Sequence, residues 1–367
     1  TPGRHDLQQG LARTVLYVSA GWLVLLTSTT HHRVMILAAT LLGAGVLQVV
    51  LGVLLMSAPE RLSMLGMQLS QSGRALGTFV NADHFANYLL LCFGVGAGLM
   101  LSQRSRRAAS TAWQAQLASA LEFLISPRML IRLALVALVI GLVLSRSRMG
   151  NGAFVLSLLM LGLGAWRARP ASRKTLAVLM TSFLLIDLLV LGQWVGLDKV
   201  VERMEQTAIS SDRTHMLDDP QHGTREETLQ ERLRLGRDAW QMALERPWTG
   251  HGPGRFGTVF PAYKAPDNLP VWVDHAHNDY AQVAAENGLP MLLVGLAMCA
   301  ATFWRLWRLL SPDQPWHSQG MAAGLLMALT AMALHCMVDF NLQVAANALT
   351  FSVLLGLAWA LPETSKP

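Results

Sequence analysis

Apolar runs of similar length recur along this sequence, and they constrain its fold more tightly than any motif does. They occupy residues 13–30, 34–56, 84–102, 129–145, 152–166, 175–197, 289–307, 320–340 and 347–361. Most approach the ~20 residues that a helix needs to cross ~30 Å of hydrocarbon. Inside a bilayer every backbone N–H and C=O must be bonded internally, and a helix achieves that within one segment. The pattern predicts an all-α polytopic membrane protein with about nine transmembrane helices. The runs at 129–145 and 152–166 are short, so one of them should be tilted, broken or lengthened into the polar turn between them. Composition agrees, with 52% of the 367 residues hydrophobic and only 14% charged, a balance that fits an integral membrane protein better than a soluble enzyme.

The basic residues orient the chain. Arg104, Arg106, Arg107, Arg128 and Arg132, then Arg167, Arg169, Arg173 and Lys174, then Arg305 and Arg308 fall on connections that alternate spans bring to one side. That side is expected to be cytoplasmic. The amino terminus, the 57–83 connection, the Ser145–Gly150 turn, the 198–280 segment and the Asn341–Asn347 turn then face outward. Long translocated segments ignore their own Lys and Arg, so the charges within 198–280 do not oppose this orientation. Three parts follow: six spans over 1–197, an outer loop region over 198–280, and three spans over 281–367.

The net charge of +6 is accounted for by the same inside bias, and no basic platform interleaved with aromatic residues points to nucleic acid. Cys92, Cys299 and Cys336 lie in apolar runs without metal-ligand spacing and read as packing residues. The chain opens on Thr1-Pro2, on the outer side and without a basic-then-apolar leader, which predicts that further sequence precedes it. Between Gln103 and Arg128, Trp113, Leu117, Leu121 and Leu124 recur at helical spacing and predict a helix lying along the cytoplasmic interface. The small-residue runs Gly43-Ala44-Gly45 and Gly94–Gly98 predict close helix crossings.

Within the long outer segment, helical character runs from Arg225 to Glu245. Arg232, Leu235, Ala239, Met242 and Ala243 fall on one face, and the pattern stops at Pro247. The glycine-rich stretch Trp248–Gly257 that follows has no preceding strand and no dinucleotide-binding spacing. It reads either as backbone brought close to a ligand or as a compact loop.

Ionisable groups beside a bilayer are costly unless they have partners or a wet cavity, which makes function the better default for Asp274-His275-Ala276-His277-Asn278-Asp279-Tyr280, with Glu286 and Gly288 beyond. His275 and His277 are two apart, on opposite faces of a strand or about 200° apart on a helix, so without a turn between them they do not share a metal. Asn278, Asp279 and Tyr280 are suited to orienting an imidazole and fixing its tautomer, which favours a general base for a hydroxyl. Two further outward groups can meet this cluster: the turn Ser145-Arg146-Ser147-Arg148-Met149-Gly150 and the face Arg232-Leu233-Arg234. Guanidinium forks bind phosphate oxygens in pairs without a metal, and a lipid-linked diphosphate is the ligand a membrane would present.

The order of these elements carries a resemblance. Ser147-Arg148-Met149-Gly150, the stretch from Arg232 through Pro247 to Gly250-His251-Gly252-Pro253-Gly254-Arg255-Phe256, His277-Asn278 with Gly288, and His335 to Asp339-Phe340-Asn341 and Asn347 resemble the O-antigen ligase and polymerase family of bacterial surface-glycan enzymes. Gly77-Thr78-Phe79-Val80-Asn81 and His84 extend the similarity over nearly the whole chain. The resemblance implies a GT-C-like fold with its site on the periplasmic side of the inner membrane. It also implies metal-independent, inverting transfer of a glycan from undecaprenyl diphosphate to a hydroxyl, with no cofactor. On it, His277 is the catalytic histidine, and Arg148 and Arg232, with Arg146 beside them, hold the diphosphate. Asn278, His275, Glu286, Ser147 and Asp339 support the site; Glu286, Asp339 and Asn341 could bind sugar hydroxyls, or could satisfy helix ends and buried arginines. The acceptor could be a lipid A core, a growing polysaccharide or a protein hydroxyl, corresponding to ligase, polymerase or protein O-oligosaccharyltransferase. A lipid-linked glycan transporter or flippase is the alternative of another class. It would line a midplane path with its polar residues, whereas here they gather on one outer surface.

Overall fold

The computed structural model describes residues 2–57, 73–103, 126–168, 181, 229–265 and 272–364, with side chains from Leu7 onward. Among these residues the protein is helical, with no strand. Five helices come first: α1 (Pro2–Thr27), α2 (His31–Ser57), α3 (Ala82–Leu101), α4 (Pro127–Leu144) and α5 (Arg148–Ala168). They are followed by α6 (Leu229–Glu245), the short α7 (Phe256–Val259), α8 (Asp279–Leu309), α9 (Trp316–His335) and α10 (Ala345–Ala360). Six of these, α1 to α5 and α8, are long and apolar enough to cross a membrane. The run expected at 175–197 lies outside the described residues except for Thr181, as do residues 225–228 and nearly all of the expected interfacial helix after Gln103.

The centre of the bundle is α3 and α9. Both are buried on almost every side, and they pack on each other as well as on α2, α4 and α5. Their crossing is close because neither carries a Cβ at the contact. A Cβ on Gly94 would lie 2.7 Å from the Gly324 carbonyl oxygen, and one on Gly324 would lie 2.2 Å from that of Gly94. Without a hydrophobic drive between helices in lipid, such backbone proximity is what holds them together. Gly43, by contrast, faces open space, so of the first small-residue run only Gly45 makes the expected contact, against Cys92. α1 packs on α10 and turns Val15, Val18, Trp22 and Leu26 outward.

Three helix ends differ from the sequence expectation in ways that build the surface expected to face outward. α5 begins at Arg148, so the second of the two short runs is lengthened into the polar turn, where the Ser147 hydroxyl accepts from Gly150 N at 2.9 Å. α9 stops at His335, five residues before the end of the apolar run, and releases Asp339 and Phe340 into a turn. α8 is broken at Gly288, whose φ of 81° is accessible to glycine, with Pro290 two residues on. The break divides α8 into a buried outer half and a lower half whose Met291, Leu293, Val294 and Leu296 are exposed, the face a lipid would cover.

Above the break sits a second hydrophobic core. Leu235, Ala239, Met242 and Ala243 of α6 pack against Phe256, Phe260, Val273, Ala276 and the alanines of the outer half of α8. The apolar stripe read from spacing on α6 is the face that is buried. The glycine-rich stretch is a compact loop clamped onto α8: His251 N donates to Ala285 O at 2.9 Å, Gly252 N to Glu286 O at 2.8 Å, and Leu289 N to Pro247 O at 2.7 Å.

Candidate active site

The outer ends of α3, α4, α5, α8, α9 and α10 meet under α6, and each end delivers a polar residue. At α3, Asn81 caps the helix by accepting from Asp83 N at 2.8 Å. That cap sets Asp83 and His84 on the first turn, where both are buried. At α8, Asn278 is the cap: its Oδ1 accepts from Ala281 N at 2.9 Å while its Nδ2 donates to Met337 O at 3.0 Å, tying α8 to the turn after α9. Asp279 extends that tie, donating its N–H to Cys336 O and accepting from Leu342 N, both at 2.9 Å.

Asp339 is the centre of the site. It is fully buried, and its Oδ1 lies 3.3 Å from His84 Nε2 and 3.6 Å from His277 Nδ1. Its Oδ2 lies 3.8 Å from an Arg232 guanidinium nitrogen. Burial by itself would raise this carboxyl. The His277 and His84 imidazoles and the Arg232 charge outweigh it and hold Asp339 well below the usual carboxylate range. Arg232 also donates to Asp83 Oδ2 at 2.8 Å and to Val338 O at 3.2 Å. On the far side of Asp83, Arg74 reaches Oδ1 at 3.2 Å and donates from Nε to the Ser145 carbonyl at 2.7 Å. A continuous polar chain therefore runs from the Ser145–Gly150 turn through Arg74, Asp83, Arg232 and Asp339 to His277.

His277 has φ 48°, the left-handed region that side chains other than glycine rarely adopt. That turn breaks the alternation expected of residues two apart. The rings of His275 and His277 both rest on Phe340, with centroids at 4.4 Å and 4.8 Å, and His84 lies against the same ring at 4.5 Å. His275 is further held by Gln282 at 3.1 Å, and burial pushes its pKa down to about 4, against an opposing pull from Asp274. Among the described residues no group of three or more His, Cys, Asp or Glu is placed to hold a metal ion.

The other residues singled out from the sequence divide by surroundings. Arg146 and Arg148 are exposed at the start of α5, Arg146 with φ 53°. Arg232 turns inward from α6 while Arg234, two residues on, is exposed. Ser147 is buried in its capping role. Glu286 sits beneath the glycine-rich loop, accepting from Gly254 N and Phe256 N at 3.0 Å each. Sequence reasoning missed Arg74 and Asp83 and assigned His84 no role. The available signal was the ionisable pair Asp83-His84 at the head of an apolar run, where such groups are expensive. Beside the site lies an open, mostly apolar cleft of about 540 Å³ that runs from Met160, Phe303 and Leu334 up to Trp240 and Asn278.

Residues 133–297 match the family model described as O-antigen ligase. The matched stretch begins within α4, takes in the Ser145–Gly150 turn, α6 and the glycine-rich loop, and ends beyond His277 and the break in α8. No curated protein matches the chain. With several helices long and apolar enough to cross a membrane, the chain is built as a multi-pass membrane protein, and over residues 133–297 it is similar to the O-antigen ligase family.

Proposed function

We propose that the chain transfers a glycan from undecaprenyl diphosphate to a hydroxyl acceptor at the periplasmic face of a bacterial inner membrane, by a metal-independent, inverting displacement of the ligase type. The family supports glycan transfer in general. The observation that carries the finer reading is the Asp339 carboxylate, which has His277 Nδ1 and His84 at one oxygen and an arginine at the other. A carboxylate facing Nδ1 favours the tautomer with its proton there, which makes Nε2 the basic nitrogen. Nε2 then takes the proton of the acceptor hydroxyl as that oxygen bonds to the anomeric carbon. The bond from that carbon to the diphosphate oxygen breaks, and its electron pair leaves with the lipid diphosphate. Displacement in line from the opposite face inverts the anomeric carbon.

In this reading the exposed Arg146 and Arg148 present their forks to the diphosphate, and Arg232 adds charge from the α6 side while bridging Asp83 and Asp339. The amino-terminal ends of α3 and α5 point the same way and favour an anion. Asn278, His275 and Ser147 hold the surrounding backbone and rings, and Glu286 holds the loop that covers α8. The apolar cleft gives the lipid chain a path along the bundle to Asn278. The three-part division into 1–197, 198–280 and 281–367 belongs to the same proposal, with the outer region placing Arg232 over the spans.

The test is a reaction of purified protein in nanodiscs with undecaprenyl-diphosphate-linked oligosaccharide, offering lipid A core, polysaccharide and a hydroxyl-bearing peptide together. A new glycosidic linkage on one of them is expected, and its acceptor names the ligase, polymerase or protein-modifying branch. Movement of the lipid-linked glycan across the membrane with no linkage formed would favour the transporter instead.

A further inference from the structure

We propose that His84 is a positioning residue for His277, acting through the single oxygen of Asp339 that the two imidazoles share. The inference rests on the reading of His277 as the base. His84 Nε2 is the nearer of the two to Asp339 Oδ1, at 3.3 Å against 3.6 Å for His277 Nδ1. The backbone of His84 is fixed from two sides. Asn81 caps its helix, and Asn347 of α10 donates to its carbonyl at 3.0 Å. Its ring is pinned edge-on against Phe340, the residue on which His277 also rests. Phe340 N donates to the same Asp339 oxygen at 2.9 Å, so that oxygen is held by a rigid group on one side and by His84 on the other. His84 therefore sets where Asp339 stands and how much of its charge His277 feels, without itself facing a substrate.

The charged and titratable groups around this pair come from every neighbouring element. Asp83 stands beside His84 on α3, Arg74 in the preceding loop, and Arg232 on α6. His275 precedes α8, and His335 ends α9, where Asn341 holds its Nδ1 at 3.0 Å. Arg74 is held by Asp83 and the Ser145 carbonyl, and Arg232 already bridges Asp83 to the other Asp339 oxygen, so neither replaces the His84 donor at Oδ1 when it is removed. With that donor gone, more of the Asp339 charge acts on His277 and its protonated form is favoured.

The decisive measurement is the His277 pKa from the ring-nitrogen NMR of histidine-labelled full chain in nanodiscs, assigned by the signal that His277→Gln removes. His84→Ala is expected to raise it by about 0.5–1 unit, and His84→Gln, which restores an N–H donor of similar reach, to return it to within a few tenths. A folded His84→Ala protein with an unmoved His277 would overturn the inference, and so would a His84→Gln protein that behaves like the alanine variant. In the transfer assay the acid limb should move to higher pH in His84→Ala. There kcat should fall about 10–100-fold with the donor KM within about twofold, and glutamine should recover most of the loss. The NMR result decides the inference whether or not transfer is seen. Failure of the wild-type chain to form a linkage counts only against the reading of His277 as base.

Discussion

The two ends of the helix bundle both carry arginines, and they use them differently. At the end expected to be cytoplasmic, Arg305 is spent on closing a terminus: it donates to Leu361 O at 2.8 Å and Ala358 O at 3.2 Å and pairs with Glu363 at 2.7 Å. Arg308 meets the same carboxylate while remaining 60% exposed. At the other end, Arg74 and Arg232 are partly buried with two acids, Asp83 and Asp339, and with the imidazoles of His84 and His277. An arginine spent on the last carbonyls of a terminal helix and on one carboxylate beyond it anchors that helix. Alternating acids, arginines and imidazoles under an extramembrane cover hold charge in fixed positions away from water, where it acts most strongly on a reacting group.

His277→Ala should reduce glycan transfer by at least about 10²-fold while folding and binding of the lipid-linked donor stay close to wild type, since a base is needed only in the chemical step. Near-normal turnover in purified protein would remove the catalytic assignment. Asp339→Asn should come next, lowering transfer by about 10-fold or more together with the unfolding temperature, because it leaves Arg232 and His84 facing a neutral amide in a buried site. Unchanged thermal unfolding would mean that Asp339 is not the hub of the cluster. Arg148→Ala should weaken donor binding and turnover together by about tenfold, the loss of one charge-assisted contact. Unaltered affinity for a lipid diphosphate would count against its role.

The inner end supplies the contrast. Arg305→Ala should leave the transfer rate within about twofold and lower the unfolding temperature by a few degrees, because it frees the carbonyls that close α10. A large catalytic defect there would erase the distinction between the two ends. The smallest effect concerns pH. His275 is depressed to about 4 in the folded protein against an ordinary value near 6.5, so the unfolded chain binds the extra proton in that interval. Its contribution to stability is therefore present above about pH 6.5 and is lost as pH falls towards 4. Asp339, also depressed, loses its contribution only at lower pH, below the usual carboxylate range. Denaturation of His275→Gln followed against pH should be flatter between 6.5 and 4, and an unchanged slope would show that His275 is not the group responsible.

Much of the bundle was legible in periodicity. The buried face of α6 and the lower half of α8 both follow from spacing, since apolar residues at helical intervals must be buried or meet lipid. The lengthening of α5 into the Ser145–Gly150 turn was anticipated from a run too short to span. The early end of α9 was not, because Cys336, Met337 and Val338 are as apolar as the residues before them. Only the ties from Cys336 O to Asp279 and from Met337 O to Asn278 disclose that those carbonyls have left the helix. The joint placement of His275 and His277 on Phe340 was equally hidden, since it depends on a left-handed backbone at His277, which histidine tolerates better than most side chains but does not specify.

By itself, the sequence determined that this is a helical multi-pass membrane protein, which side gathers its polar residues, and which histidine-asparagine pair and arginines are worth attention. Those properties follow from hydropathy and residue order, which act locally. The tertiary structure decided that Asp339 is shared by His84, His277 and Arg232, that Asp83 couples Arg232 to Arg74, and that the glycine-rich loop clamps α8. These contacts join residues as far apart as His84 and Asp339, 255 positions along the chain. They exist because six helix ends are brought to one surface by packing, which no local stretch of sequence encodes.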